Sequence, residues 1–148
     1  MLLAILSRHA DLSLADYDVF VNLVGGIEIA ETATDLPLAL ALASSLRAHP
    51  LPTTLVAFGE LGLTGEVRPV AFGDERLREL TKLGFTRALL PRENLPRDIA
   101  SRDGTSRDDA SRGTASRDGP SRATIEQVAL IGVSTIAEAL AQAFRQSG

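Results

Sequence analysis

Cysteine and tryptophan are absent from this chain of 148 residues, and aromatic residues of all kinds make up only 4% of it. Without cysteine there is no disulfide and no thiolate ligand for a metal, which fits a reducing cytoplasm. The two histidines, His9 and His49, are far apart and lack the spacing of a paired metal motif. We therefore expect a cytoplasmic protein with a core of Leu, Val, Ile and Ala and with no metal site.

Long apolar runs and an excess of basic residues are also missing. No apolar run reaches the length of a membrane span, and residues 1–6 have no basic segment before them, so neither a membrane partner nor a signal peptide is predicted. The net charge is −4 and the isoelectric point is near 5.1. Because phosphate contacts need clustered Lys and Arg, we expect any DNA binding to be weak and independent of sequence.

Hydrophobic periodicity and turn residues predict alternating helices and strands. Helices are predicted over residues 2–9, 35–46 and 74–83 and after residue 135, and strands over residues 17–25, 27–29, 54–58, 67–70, 87–90 and 124–131. Asp35 stands where a helix N-cap belongs, and Ser134 and Thr135 occupy the same place before the final helix. Glycines between residues 59 and 65 indicate a loop or hairpin. This order predicts an α+β or α/β domain of two layers.

A Ser-Arg repeat interrupts this pattern at residues 101–122, with five copies spaced five residues apart. The segment contains no apolar residue larger than Ala, so it has nothing to bury that would offset the entropy of ordering it. Its five Arg are interleaved with four Asp, which cancel most of their field. We predict a flexible low-complexity insertion, and a phosphate-contacting arm is the less favoured alternative.

Deletion of residues 101–120 is expected to leave the melting temperature nearly unchanged, because the segment offers no apolar surface to the core. Limited trypsin digestion is expected to cut the intact chain first at these arginines. A loss of several degrees in the deletion variant, or protection of the repeat from trypsin, would show that the segment is packed.

Two separated motifs resemble the proteolytic domain of Lon-type proteases. Residues 34–45 contain Asp-Leu-Pro before an Ala- and Leu-rich helix, and residues 58–70 contain Gly-Glu and then Glu-Val-Arg-Pro. In that family a Ser nucleophile and its Lys base stand at positions that correspond to Leu38 and Asp74 here. Leu cannot attack a carbonyl, and Asp cannot act as the neutral amine of a Ser–Lys dyad. These are degenerate dyad positions, and we predict no catalytic residue in this chain.

The same motifs, together with residues 19–26, 76–79 and 82–85, are most similar to the Lon-like C-terminal domain of the RadA (Sms) family of bacterial DNA-repair proteins. The resemblance covers about residues 2–95, with the segments in the same order and spacing. A second relative is the Lon-like N-terminal domain of the magnesium-chelatase and competence ATPases. The resemblance implies a Lon-like fold, similar to domain 2 of ribosomal protein S5. It also implies a non-catalytic platform that assembles into a homo-oligomeric ring, a hexamer, and contacts DNA beside an ATPase.

Cofactors follow from the same resemblance. ATP, Mg²⁺ and zinc are implied only for parts of the parent family outside this chain, which has no cysteine and no GxxxxGK[ST] motif. No cofactor is therefore predicted for the chain itself.

Arg68, Arg76 and Arg78 are the predicted residues for DNA or subunit contact. Arg76 and Arg78 are two positions apart on a predicted helix and so face directions about 200° apart. Ordinary salt-bridged surface arginines are an alternative of at least equal weight.

The domain prediction is one Lon-like domain over residues 1–148, interrupted by the repeat. Because the chain begins with a helix, we expect the N-terminal strands of that fold to be missing. The alternative function is a Lon-family ATP-dependent serine peptidase domain or its degenerate remnant. A rearranged dyad of Ser44 or Ser45 with Lys82 is disfavoured, since both serines lie beyond the start of their helix and Lys82 lies at the end of another.

Overall fold

The structure, a computed structural model, describes residues 1–24, 31–97 and 128–145. Its helices are α1 (Leu2–His9), α2 (Asp35–Leu46), α3 (Gly73–Lys82) and α4 (Ile136–Ala143), and its strands are β1 (Leu55–Ala57), β2 (Glu60–Leu61), β3 (Val67–Arg68), β4 (Arg87–Pro91) and β5 (Ala129–Val133). Short 3-10 turns precede α2 at Thr32–Thr34 and follow β4 at Arg92–Asn94. The described elements combine helices with a mostly parallel sheet, which confirms the α/β class.

The main sheet is parallel, in the order β1-β4-β5. β4 lies in the centre, with Ala57 of β1 opposite Leu89 and Val133 of β5 opposite Pro91. Parallel neighbours need a crossover connection, and α3 lies in the crossover from β1 to β4. The strands predicted within residues 54–58 and 87–90 are confirmed. β5 overlaps the strand predicted over residues 124–131 and continues to Val133, while residues 124–127 lie outside the described ranges.

Two hydrophobic cores cover the two faces of this sheet. The first core packs α1, α2 and α4 against one face and includes Leu89 of β4. The second core packs Leu77 and Leu80 of α3 against the other face and includes Ala88 and Leu90. The described elements therefore form three layers, and the predicted two layers are wrong. β4 is buried on both faces, so its residues form a continuous apolar run without alternation. Such a run does not reveal in the sequence that helices cover both faces of the sheet.

Strands β2 and β3 form the predicted hairpin, which joins the first core through Leu61 and Val67. Two backbone hydrogen bonds attach it to the start of α4. The Val67 N–H donates to Ser134 O at 2.8 Å, and the Ile136 N–H donates to Gly65 O at 2.8 Å. Gly65 has φ of 82°, a left-handed value that favours glycine.

Gly65→Ala is expected to destabilise the fold by about 2 kcal/mol or more, because it adds steric overlap to left-handed strain. A Cβ at Gly65 would lie 2.8 Å from His9 Cβ. Gly84→Ala is the matched control, since Gly84 has φ of 80° but no neighbour within 4 Å of a new Cβ. Urea unfolding measures both losses. Equal losses would contradict the close packing of α1 against the hairpin.

The strand predicted over residues 17–25 is wrong. Residues 17–24 form no strand, while Gly25 and the predicted strand at 27–29 lie outside the described residues. Phe20 is 93% exposed, and Val24 is exposed as well. Aromatic and β-branched residues favour a strand only where a neighbouring strand provides pairing and burial. Within the described ranges no strand pairs with this segment.

Both predicted helix caps mark true helix starts, but only one acts as a cap. Thr135 caps α4, since its side chain accepts a hydrogen bond from the Glu138 N–H at 3.2 Å. Asp35 is instead the first residue of α2. Its carboxylate accepts a hydrogen bond from the Leu61 N–H at 3.3 Å, which ties the helix to the hairpin.

Candidate nucleic-acid and subunit contact site

Polar residues directly follow two of the three parallel strands, β4 and β5. β1 leads into Phe58 and Gly59, β4 into the turn Arg92–Asn94, and β5 into Ser134 and Thr135. The last residues of β4 and β5 are register partners, so their following segments emerge side by side. In open α/β sheets this carboxyl edge is where ligands bind. It is the candidate site of this protein.

Arg68 lies on the hairpin at this edge, between two carboxylates. Its Nε donates a hydrogen bond to Glu66 Oε1 at 2.9 Å, and its Nη1 lies 3.6 Å from Glu60 Oε1. The Arg68 side chain is 53% exposed. Exposed ion pairs of this kind contribute about 0–1 kcal/mol to stability. Arg68 is therefore oriented by its neighbours and still accessible to a ligand.

The carboxylate of Glu66 accepts hydrogen bonds from two residues of the hairpin, Thr64 and Arg68. The Thr64 hydroxyl donates a hydrogen bond to it, and the Thr64 N–H donates to Oε2 at 3.1 Å. The hydrogen bond from the Thr64 hydroxyl contributes most, a backbone hydrogen bond at Glu66 and the neighbouring Arg68 contribute further, and together they lower the pKa of Glu66 from 4.5 to about 2. Glu66 is thus ionised throughout the neutral range and holds the turn and Arg68 together.

Glu66→Gln is expected to weaken the dependence of stability on acid. Because the pKa of Glu66 is lowered on folding, the unfolded chain binds more protons between pH 4.5 and about 2. The Glu66 contribution is therefore complete above pH 4.5 and is lost as the pH falls towards 2. The midpoint of urea unfolding is measured at about pH 5 and about pH 2.5, near the two ends of this window. The difference between the two midpoints should be smaller in Glu66→Gln than in the unmodified chain. Glu75→Gln, at an exposed acid on α3, is the control. The same pH difference in all three proteins would contradict the assignment.

Arg76 connects the two layers of helices. It forms an ion pair with Glu31, which precedes α2, and its guanidinium lies 5.8 Å from the centre of the Phe58 ring. Its Nε also donates to Ala71 O at 3.4 Å. These contacts give Arg76 a structural role in addition to any role in binding.

Arg78 differs from the other two candidates. It lies half-buried on α3 and forms no ion pair with any other described residue. The three arginines lie on two elements and have different neighbours, so the structure does not unite them in one cluster. Of the three candidates, Arg78 alone has no ion-pair partner within the described part of the chain.

A half-buried network that the sequence did not indicate joins β4 to α4. Arg92 Nη2 donates to Glu138 Oε1 at 2.9 Å, and Arg92 Nε donates to Ser134 Oγ at 3.2 Å. The Ser134 N–H donates to Glu138 Oε2 at 2.8 Å. The Thr-x-x-Glu capping pattern indicates Glu138, but nothing in the sequence indicates a partner 46 residues away.

Asn94 is a second residue without a sequence signal. Its Oδ1 accepts a hydrogen bond from the Val70 N–H at 2.9 Å, and its Nδ2 donates to Val70 O at 3.0 Å. Both backbone groups of Val70 are therefore held by one side chain. This clamp fixes the loop that leads into α3 against the end of β4.

The predicted dyad positions lie on two helices that pack in different cores. Leu38 is half-buried on α2, which packs in the first core. Asp74 is exposed in the first turn of α3, which packs in the second core. Asp74 and its neighbour Glu75 complement the positive end of the α3 dipole.

Ser44 and Lys82 make local contacts within or beside their helices. The Ser44 hydroxyl donates to His49 O at 2.7 Å, just beyond the end of α2. Lys82 Nζ donates to Glu79 Oε1 at 2.7 Å at the end of α3. Both contacts are structural ones that stabilise helix ends.

Metal clusters and membrane spans were sought across the described ranges. No group of three or more His, Asp or Glu residues there is arranged to hold a metal ion. None of the helices in those ranges has the length and apolarity needed to cross a bilayer.

Comparison with known proteins finds relatives that are named DNA repair protein RadA. The chain is 57% identical over 94 residues to the DNA repair protein RadA of Escherichia coli (strain K12). The aligned segment covers 64% of this chain and 20% of that protein. Identity is 46% over 92 residues to RadA of Aquifex aeolicus (strain VF5), covering 62% of this chain and 21% of that protein. It is 45% over 91 residues to RadA of Mycobacterium tuberculosis (strain ATCC 25618 / H37Rv), covering 62% and 19%. The chain spans about a fifth of the length of these relatives.

A family model described as subunit ChlI of Mg-chelatase matches residues 3–94, more than half of the chain. Both predicted resemblances, to the RadA family and to the magnesium-chelatase group, are confirmed. The match ends within the turn that follows β4, so β5 and α4 lie beyond it. The chain belongs to the family described as subunit ChlI of Mg-chelatase, and it is similar to the DNA repair protein RadA.

Proposed function

We propose that this chain is a non-catalytic Lon-like domain of a RadA-type DNA repair and recombination protein, acting in the cytoplasm. In this proposal it is an oligomerisation platform and a DNA-contact module for an ATPase located elsewhere. The observation that carries the proposal is the 57% identity to the DNA repair protein RadA of Escherichia coli over 94 residues. The Lon-like fold, similar to domain 2 of ribosomal protein S5, is part of the proposal.

The absence of catalysis is supported by the residues at the dyad positions. Leu38 has no nucleophilic atom, and Asp74 has a carboxylate where the dyad requires an amine. The hydroxyl of Ser44, the nearest alternative on α2, already donates to a backbone carbonyl. The domain is in this sense a pseudo-protease whose structure serves assembly.

Casein and fluorogenic peptides are therefore expected to remain uncleaved, and ATP unhydrolysed, by the purified chain. Turnover that disappears in Ser44→Ala or Ser45→Ala would contradict the proposal, because it would identify a nucleophile on α2. A contaminating protease is distinguished by turnover that persists equally in both variants.

The proposed contact surface comprises Arg68, Arg76 and Arg78. Arg68 is exposed on the hairpin, while Arg78 forms no ion pair within the described residues, so both present charge to a ligand. With a net charge of −4 the single chain offers few phosphate contacts, and its affinity for DNA is expected to be weak and salt-dependent. Assembly into a ring, a hexamer in this proposal, raises affinity through the effective concentration of neighbouring copies.

The test places the domain in a full-length RadA-type protein and removes each of the three arginines in turn. Each Ala variant is expected to weaken DNA binding several-fold at low salt or to reduce ring size, and loss of a phosphate contact should lower the salt slope by about 1. Arg78→Ala is the most direct variant, because it breaks no ion pair among the described residues. Arg8→Ala removes the same charge from an exposed position on α1 and is the control.

Anisotropy titrations measure DNA affinity, and light scattering measures the mass of the assembly. If all three variants retain both properties, these arginines are ordinary surface residues and the proposed contact surface is wrong. If the unmodified protein neither binds DNA nor assembles, the proposed function itself is wrong.

A further inference from the structure

The ends of α2 and α4 meet at the edge of the sheet where the parallel strands begin. Arg87, the first residue of β4, donates a hydrogen bond from Nη2 to Gln142 O near the end of α4 at 3.0 Å. Arg47 follows α2, and its guanidinium carbon lies 5.0 Å from the centre of the Phe144 ring, which follows α4. This edge is opposite to the carboxyl edge, where the hairpin carries Arg68.

Two polar side chains contact the Phe144 ring. The Arg47 guanidinium lies over the ring, and the His49 ring meets it edge-on at 5.4 Å between centres. Arg47 and His49 are exposed, and Arg47 forms no ion pair with another described residue. A guanidinium that stacks on an aromatic ring still presents the N–H donors at its rim, and their fork matches the two oxygens of a carboxylate.

Hydrogen bonds hold the backbone that carries Arg47 and His49. The His49 N–H donates to Ser44 O and the Ala48 N–H donates to Ser45 O, both at 3.1 Å. This is the hydrogen-bond pattern of a Schellman C-cap. The Ser44 hydroxyl also donates to His49 O at 2.7 Å. Because the backbone is already ordered, less entropy is lost when a ligand binds to these side chains.

The described segments that form this edge contain basic residues and no acidic ones. Residues 47–54, 83–87 and 144–145 include no Asp or Glu, and their charged residues are Arg47, Arg87 and Arg145. The net charge of the whole chain is −4, so this edge is opposite in sign to the molecule as a whole. A local basic surface of this kind attracts an anionic partner.

The same contacts favour a peptide with carboxylates over a nucleic acid. Phe144 is half-buried against the first core and has Arg47 over its ring, so it is not an open platform for a nucleobase. Arg87 is already engaged with the end of α4, which leaves too few cations for a row of phosphate contacts. Directly after His49, residues 50–52 read Pro-Leu-Pro, and this stiff apolar segment suits the apolar side chains of a peptide.

We propose that Arg47, His49 and Phe144 form a binding site for an acidic peptide segment of a partner protein, one that combines carboxylate and apolar side chains. Arg47, oriented by Phe144, binds one carboxylate, and His49 donates a hydrogen bond to another. Because a single exposed ion pair contributes little, a peptide that also contacts residues 50–52 fits the site better than a small anion. The proposal goes beyond the proposed function, since it concerns a protein partner at the edge opposite to Arg68.

The test titrates the full 148-residue chain into a fluorescein-labelled peptide of alternating Glu and Leu and measures anisotropy. The control peptide has Gln in place of Glu and should bind much more weakly. Arg47→Gln should weaken binding of the acidic peptide about fivefold and His49→Ala about twofold. Both residues are exposed, so the melting temperature should not change. Arg8→Gln removes the same charge from an exposed position on α1 and should leave binding unchanged.

Heteronuclear NMR locates the bound peptide on the chain. The amide signals of residues 47–52 and 144–145 should shift, and those of the hairpin should not. Absence of binding, equal affinity for the two peptides or unchanged affinity in Arg47→Gln would overturn the proposal, as would shifts confined to the hairpin. Tighter binding of an oligothymidine at residues 47–52 would also overturn it and identify nucleic acid as the ligand. DNA binding through Arg68 is measured separately, so failure of the peptide site leaves the proposed function standing.

Discussion

A chain that ends at residue 122 is expected to be unfolded at 25 °C, although it retains the whole segment that matches the family. The truncation removes β5 from the edge of the parallel sheet and α4 from the first core. The large buried side chains lost from the first core are Val133, Ile136 and Leu140. At about 1.5–3 kcal/mol for each buried side chain, these three alone account for about 5 kcal/mol or more. That is comparable with the whole stability of a small domain, about 5–15 kcal/mol.

Circular dichroism measures whether the truncated chain is folded, and urea unfolding measures its stability. The control is the deletion of residues 101–120, which shortens the chain by a similar length but retains β5 and α4. After that deletion residues 95–100 and 121–127 still connect the end of β4 to the start of β5, and such a connection spans up to about 40 Å. A cooperative transition at the same midpoint in the truncated chain would contradict the packing of α4 in the first core.

Leu89→Ala is expected to cost about 3 kcal/mol or more of the free energy of unfolding. Leu89 lies on the central strand β4, has 0% exposure and belongs to the first core. Truncation of a fully buried Leu typically costs about 2–5 kcal/mol, because the lost transfer free energy and the cost of the cavity add together. The strand is paired on both sides, so the surrounding backbone has little freedom to close the cavity.

Leu83→Ala makes the same chemical change at a residue that is 69% exposed, and its cost should stay within about 0.5 kcal/mol. Urea unfolding with unchanged m-values gives both free energies. Similar small costs for the two variants would contradict the placement of β4 between two cores.

Local features of the sequence were sufficient to predict most helices. The apolar pattern of α1 and the capping residue Thr135 of α4 are local signals, and Gly84 terminates α3 with φ of 80°. The glycines between residues 59 and 65 predicted the β2–β3 hairpin because a reversed chain needs residues that tolerate positive φ. These features depend on neighbours a few residues apart, which the sequence displays directly.

The candidate site was predictable only in part. Arg68, Arg76 and Arg78 were selected by charge and by resemblance, but their partners lie on other elements. Arg76 pairs with Glu31, from which it is separated by α2, β1 and the hairpin. Arg92 and Asn94 carried no local signal, since their importance depends on contacts with distant segments.

The sequence by itself determined most helices, the mixture of helices and strands, the Leu- and Ala-rich core and the family, since composition, periodicity and motif order are properties of the chain. Only the tertiary structure decided that β4 is buried on both faces and that residues 17–24 form no strand. It also decided that β5 and α4, beyond the Ser-Arg repeat, complete the same sheet and core. The physical reason is that a strand exists only through hydrogen bonds and packing from other parts of the chain. The β-propensity of a strand is therefore visible in the sequence, whereas the segment that pairs with it is not.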